Sequence, residues 1–393
     1  MTILHIIDTF SPTHGGPPEA VRQLVKAYLE VGAEIEVLSL DSPDAPYLKD
    51  IPCPVHALGQ CYLGRFAYSP RLKRWLEENA GRFDGIVMNG IWSYPGVALR
   101  RAAHKAGTPY GVFVHGALDP WFNRKYPLKH LKKLFYWRIQ YAVLRDALAV
   151  FFTTDEERRL ARESFQPSQW NSVVVPYGIT DPKVDVEAAK RQVEEFYEKI
   201  PQLRGRHYLL FMGRIHEKKG CDLLIEAFAS QAARAPDLDL VIAGPDQTGK
   251  QKKLQHRAEQ LGIGSRVHWP GMISGDMKWG ALRGSDAFIL PSHQENFGIV
   301  VVESLAMGRP VLISNQVNIW PDIEADGVGL VDDDTQEGTE RMLSRWISLD
   351  ESVRAEMRDA SRQAFIRRYA MSRTARVINR LFEPIEKASL AVQ

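Results

Sequence analysis

DAFILPSHQENFGIVVVESLAMGRPVLISN, residues 286–315, holds one complete structural unit. DAFILP (286–291) is an unbroken apolar run of strand length, and PVLISN (310–315) is a second. Between them the pattern predicts a polar loop, a helix from about Gly298 to Met307 and a stop at Gly308. Glu303 falls on that helix among apolar helical neighbours, Ile299 and Val300 one turn before it and Ala306 and Met307 one turn after. A carboxylate so placed requires either a basic partner or a hydroxyl-rich ligand. The loop before the helix carries Glu295 and the backbone N–H groups of Asn296, Phe297 and Gly298, a place for an anion at a helix start. Together these residues predict a ligand with phosphate and sugar parts.

Strands alternate with helices on both sides of this unit. Upstream come HYLLFMGR (207–214), a helix over 221–235, LDLVIAGP (238–245), a helix over 249–262 and RVHWPG (266–271). The first half repeats the theme with TILHIID (2–8), a helix over 18–32, EIEVLSL (34–40), GIVMNG (85–90), YGVFVHG (110–116), ALAVFFTT (147–154) and NSVVVPYG (171–178). Alternation of this kind implies parallel sheets with right-handed crossovers, an α/β fold of two Rossmann-like doubly wound domains. The charged stretch 184–206 separates the series, giving expected domains of 1–190 and 191–365, with a C-terminal helix over 366–393. In this architecture ligands bind beyond the carboxyl ends of the strands, so the two domains are expected to face each other across a cleft.

With 393 residues, 45% hydrophobic and 25% charged, the chain is long enough for two separate cores. Its formal charge of +2 gives no global field for nucleic acid. Cys53, Cys61 and Cys221 have no metal-ligand spacing and their odd number argues against a disulfide framework, so a reducing cytoplasm is expected. MTILHIIDTF reads as a first strand and not as a signal peptide, and no apolar run approaches the length of a transmembrane helix.

GRIHEKKG (213–220) lies between a strand and a helix, where Arg214 offers a fork and Lys219 a point charge for a diphosphate; a solvated basic turn would look the same. Gly15 and Gly16 follow the first strand, either as a plain turn or as a place where a ligand approaches the backbone, before a helix starting at Pro17 or Pro18. His115 ends the strand YGVFVHG and can hydrogen-bond a sugar hydroxyl or serve as a structural histidine, with Asp119 near enough to join it. Asn89 and Trp92 end the strand before; packing is the expected role of Trp92. The segment 121–146 mixes Lys125, Lys129, Lys132, Lys133 and Arg138 with Trp121, Phe122, Phe135, Tyr136 and Trp137. That mixture suits an anionic membrane surface, or equally the two faces of an ordinary helix. No GxxxxGK[ST], HExxH or GxSxG motif is present, and Asp237 and Asp239, a D-x-D pair opening the strand LDLVIAG, are expected to face solvent.

GRIHEKKG, LVIAGP, the 285–311 segment and the N-terminal glycine loop resemble the retaining glycosyltransferases of family four, which have the GT-B fold. The resemblance is specific in the second half and looser in the first. It implies a nucleotide-diphosphate sugar, of UDP or GDP type, as donor substrate and no metal or other cofactor. Arg214 and Lys219 would hold the donor diphosphate, Glu303 the ribose hydroxyls, Glu295 the donor sugar, and the amides from Asn296 to Gly298 the sugar and phosphate. His115 would lie at the donor sugar and Gly16 near the phosphates, while Gly116 stands where the family often has an acidic residue. The resemblance further implies front-face attack by a saccharide or lipid-linked acceptor with retained configuration, in polysaccharide or glycolipid synthesis, in the cytoplasm or at the inner face of the membrane. A nucleotide-sugar epimerase and a non-catalytic nucleotide-sugar sensor are the alternatives. A phosphorylase fits less well, because no lysine site for pyridoxal phosphate is evident.

Overall fold

The computed structural model describes residues 1–383 except Gly15, Pro176, Gln247 and Thr248. Gly15, the side chains of Phe122 and Lys129, and the end of the C-terminal segment after Glu383 therefore lie outside the described residues. The chain forms two compact units, one of Met1–Thr180 with the segment from Ala370, the other of Asp181–Tyr369.

The first unit is built on seven parallel strands: β1 (Thr2–Ile7), β2 (Glu34–Ser39), β3 (Val55–Ala57), β4 (Gly85–Asn89), β5 (Tyr110–Phe113), β6 (Ala149–Phe152) and β7 (Ser172–Val174). Their order is β3-β2-β1-β4-β5-β6-β7. The central strands are apolar on both faces because helices cover both, which is why they read as continuous hydrophobic runs. Ile3, Leu4, Ile6, Val87, Val112 and Phe151 are fully buried. The unit is completed by Met371–Phe382, which packs on the helix Gly16–Glu30. Phe382 fills the space beside Gly85, where an added Cβ would lie 2.3 Å from its ring.

The second unit has six parallel strands, β8 (His207–Met212), β9 (Leu238–Ala243), β10 (Val267–Gly271), β11 (Ala287–Leu290), β12 (Val311–Ser314) and β13 (Gly329–Asp332), in the order β10-β9-β8-β11-β12-β13. Its boundary falls at Thr180/Asp181, ahead of the expected 190, because the charged helix Val186–Lys199 belongs wholly to this unit. That helix packs on Gly275–Gly284 so closely that a Cβ on Gly280 would lie 1.8 Å from the Gln192 carbonyl oxygen. The return to the first unit comes at Ala370, after a π-helical turn at Phe365–Tyr369 and not at 366.

In each sheet the strand order reverses beside the first strand, between β1 and β4 and between β8 and β11. Loops at such a reversal diverge to opposite faces and leave a crevice at the carboxyl edge, the usual ligand position in open parallel sheets.

Candidate active site

In the second unit, the loops after β8 and β11 converge at this reversal. Gly220 (φ 65°) caps the helix Cys221–Gln231, and a Cβ there would lie 2.1 Å from the Pro291 carbonyl oxygen, so only glycine lets the two loops touch. His293 N–H donates to the Lys218 carbonyl at 2.8 Å and ties them further. Across this junction the Lys219 ammonium makes an ion pair with the Glu295 carboxylate. Burial, then the charges of Lys218 and Arg214, pull the Lys219 ammonium below its ordinary value; the contacting carboxylate holds the proton on it. Arg214 is exposed and forms no hydrogen bond or ion pair among the described residues. Two neighbouring cations, only one of them neutralised, leave a net positive edge suited to an anion.

Glu295 is itself fixed through its backbone, with N–H donating to Gln316 at 2.9 Å and C=O accepting from Asn318 at 3.0 Å. Gly298 (φ 72°) then caps the helix Ile299–Ala306, whose first-turn N–H groups open on the same edge. The Phe297 ring turns away into the core against Tyr369, 6.0 Å between centroids, so only its backbone serves the loop. Glu303 is buried, and Lys278 from the helix Gly275–Gly284 donates to it at 2.8 Å. A basic partner therefore answers the question that Glu303 raised in the sequence. Its predicted apolar surroundings need correction as well: Ile299, Val300 and Met307 are half-exposed, and the buried stripe of the helix is Val301, Val302 and Leu305. Lys278 was invisible to the motif because it lies 25 residues away on a separate helix.

The reversal in the first unit is assembled differently. His115 has a left-handed backbone (φ 47°), and its ring stacks on Phe113 at 5.3 Å. Its Nε2 lies 3.4 Å from Asn89 Oδ1. Burial lowers the His115 pKa to about 4. Gly116 N–H donates at 2.6 Å to Glu157, a buried carboxylate that also accepts from Thr153 N–H at 2.6 Å. An acidic residue thus holds the histidine turn, supplied from a helix 41 positions on and not from the adjacent position. Asp8, at the end of β1, accepts from Ser93 Oγ at 3.2 Å, and burial raises its pKa to about 6. Asp8 escaped the sequence reading because nothing in its local pattern marks it, while Glu157 lies in a Thr154-x-x-Glu157 capping pattern that marks a helix start but not the bond to Gly116.

Other expectations are revised. The first helix begins at Gly16, ahead of Pro17, and an added Cβ at Gly16 would meet open space, so no close approach within the unit explains that glycine. Asp119 is buried and accepts from Trp121 N–H at 2.8 Å, a turn-forming role. Trp92 packs against Trp137 and Phe165 as expected, with centroids 5.7 and 5.1 Å away. Of the D-x-D pair, Asp237 is exposed but Asp239 is buried; it pairs with Arg206 at 2.6 Å and with His268 at 2.9 Å, because the strand it opens is covered on both faces. The basic aromatic segment forms the helices Pro120–Lys125 and Pro127–Arg145. Trp137, Gln140 and Leu144 face inward, while Leu128, Leu131, Phe135 and Ile139 form an exposed stripe, with Phe135 90% exposed. No described helix is long and apolar enough to cross a membrane.

Comparison with known families assigns both halves. Residues 192–364 match the model for glycosyl transferases group 1, and residues 15–178 match that for the glycosyl transferase 4-like domain. The chain belongs to the group 1 glycosyltransferases. Over 161 residues this group 1 glycosyltransferase is 32% identical to the D-inositol 3-phosphate glycosyltransferase of Paenarthrobacter aurescens (strain TC1), a match covering 38% of the chain and 39% of that relative. Over 407 residues it is 26% identical to the phosphatidyl-myo-inositol mannosyltransferase of Mycobacterium leprae (strain TN), covering 96% of each. The fold is GT-B: Anabaena HepE, solved in complex with UDP-glucose, superposes with a TM-score of 0.75 over 97% of this chain and 98% of its own, at 18% identity.

Proposed function

We propose that this protein transfers a glycosyl group from a nucleoside-diphosphate sugar, UDP or GDP type, to an acceptor hydroxyl with retained configuration. The observation that carries the reading is the unpaired Arg214 beside the Lys219–Glu295 pair, at the strand reversal of the second sheet. HepE binds UDP-glucose on the same fold. On this reading Arg214 and Lys219 neutralise the charge that develops on the leaving diphosphate, aided by the helix end at Gly298. They do so without a required divalent ion. Glu295, held by backbone bonds at both its N–H and its C=O, meets hydroxyls of the donor sugar, with the amides from Asn296 to Gly298 beside it. Glu303, which Lys278 holds in place through Oε1, accepts from the ribose hydroxyls. His115 and Gly16 belong to the first unit. The acceptor hydroxyl attacks from the leaving-group face, and a diphosphate oxygen takes its proton.

The acceptor is a saccharide or lipid-linked molecule at the inner face of the cytoplasmic membrane. The stripe Leu128, Leu131, Phe135 and Ile139 supports this, since Lys125, Lys132 and Arg138 are exposed with it and no acidic residue occurs from 120 to 145. Apolar side chains with flanking cations bind anionic lipid surfaces.

The enzymatic reading is tested by nucleotide release from UDP-, GDP- and ADP-sugars with candidate acceptors. Release should require both partners. Lys219→Ala should lower kcat/KM by on the order of 100-fold, about 3 kcal/mol, because the leaving diphosphate loses a cation and the half-buried Glu295 loses its partner. Wild-type turnover in that variant would remove the site from the reaction. For the lipid surface, sedimentation with anionic vesicles should fall when Phe135→Ser is combined with Lys132→Gln. Equal sedimentation, or none by the parent protein, would reject it.

A further inference from the structure

The polar groups at the carboxyl edge of the first sheet form a chain whose hydrogen-bond directions are determined. Asn89 Nδ2 lies 3.2 Å from the Ile6 carbonyl oxygen, and a carbonyl can only accept, so the amide nitrogen faces β1. The same Nδ2 lies 3.2 Å from His5 Nδ1, which accepts the second amide hydrogen. Asn89 Oδ1 is consequently turned toward His115 Nε2, 3.4 Å away, and Oδ1 can only accept.

We infer that Asn89 is a positioning residue which fixes His115 as the Nε2–H tautomer and leaves Nδ1 as a hydrogen-bond acceptor. The backbone leaves the ring little alternative. His115 sits at φ 47°, a left-handed conformation unfavourable for a residue with a side chain, and its ring is confined between Phe113 and Tyr177, with centroids at 5.3 and 5.8 Å. The amide is equally constrained. Asn89 is buried, and its direction is imposed by strand β1 and not by solvent. His5 is fully buried with Nε2 lacking a partner among the described residues, so it takes no part in charging the chain.

The titratable groups facing His115 are His5 on β1, Tyr177 after β7, and Glu157, whose carboxylate is bonded to the neighbouring Gly116 N–H. Burial keeps both histidines neutral through the physiological range. Resting on the proposed reaction, the consequence is directional: a neutral Nδ1 accepts a hydrogen bond from a hydroxyl of the bound sugar and offers none to it. The histidine therefore discriminates for a hydroxyl donor at that position and against a group that can only accept.

Nitrogen-15 NMR of the histidine-labelled full chain tests the assignment without reference to turnover. His115 should show a protonated Nε2 and a bare Nδ1 from about pH 5 to 8. A protonated Nδ1 in the parent protein overturns the inference. Asn89→Leu should mix the tautomers and lower kcat by at least tenfold, with the affinity for free nucleoside diphosphate unchanged. Asn89→Asp should restore an acceptor but stabilise the imidazolium, so a one-proton step absent from the parent should enter kcat/KM between about pH 5 and 8. A merely structural amide would change unfolding in both variants and move neither the tautomer nor the pH profile, which would also overturn the proposal. If no sugar donor is turned over at all, the NMR result still decides the tautomer, and the two readings fail separately.

Discussion

The two sheets share one strand order and reverse direction beside their first strand, yet their carboxyl edges carry opposite chemistry. The second edge is ionic: Lys219 with Glu295, Lys278 with Glu303, and Arg214 unpaired. The first edge surrounds its histidines with uncharged hydrogen-bonding groups: His5 and His115 are held uncharged by burial and Asn89 links them, with the carboxyl groups of Asp8 and Glu157 beside them. Topology therefore places a crevice but does not choose its ligand. A charged edge pre-pays the desolvation of a diphosphate, whereas a neutral hydrogen-bonding edge matches hydroxyl groups without attracting competing anions.

The comparison breaks most severely if the ionic edge loses one member of a buried pair. Lys278→Met should destabilise the second unit by about 3–5 kcal/mol in urea unfolding, since Glu303 is left charged and buried. Adding Glu303→Leu should recover most of that stability without recovering donor binding. Stability unchanged by Lys278→Met would mean that Glu303 is held mainly by its other contacts.

Acidification should expose the neutral edge. The folded pKa values of His5 and His115 lie below the unfolded value of 6.5, so between pH 6.5 and about 4 the unfolded chain binds more protons and stability falls as pH falls. Asp8 acts in the other direction. Its raised pKa contributes stability present below the ordinary value of 3.8 and lost as pH rises through about 6. Two histidines outweigh one aspartate, giving a net loss of about 2 kcal/mol for the first unit between pH 7 and pH 5. Urea midpoints that rise over this interval would contradict the neutral assignment.

The smallest structural effect is expected where the functional one is clear. Arg214→Ala should change stability by less than about 0.5 kcal/mol, because the side chain is exposed and unpaired. Binding of the nucleoside diphosphate, measured by calorimetry, should weaken by about 1.5–3 kcal/mol, the range for a hydrogen bond to a charged group. Unchanged binding would leave the ionic edge without its anion.

Much of this was legible in the chain. The long strands, the helix stopped at Gly308 and the loops at 213–220 and 291–298 were marked by apolar runs and by glycines that the backbone requires, at Gly220 and Gly298 with φ of 65° and 72°. The short edge strands Val55–Ala57 and Gly329–Asp332 were not, since runs of three and four residues carry too little periodicity. Asp239 was misplaced for a related reason: alternation on a strand shows which residues share a face, but not that both faces are covered.

The sequence by itself determined the doubly wound architecture, the family and the positions of Arg214, Lys219, Glu295 and His115 at strand ends, because each depends on residues within a few positions of one another. Only the tertiary structure decided which charges are spent inside the protein and which remain for a ligand. Lys278 reaches Glu303 across 25 residues, Glu157 holds Gly116 across 41, and Asn89 is oriented by Ile6 across 83. Hydrogen bonds and ion pairs form where packing brings atoms within about 3 Å, and no local pattern encodes a meeting arranged by the fold of a whole sheet.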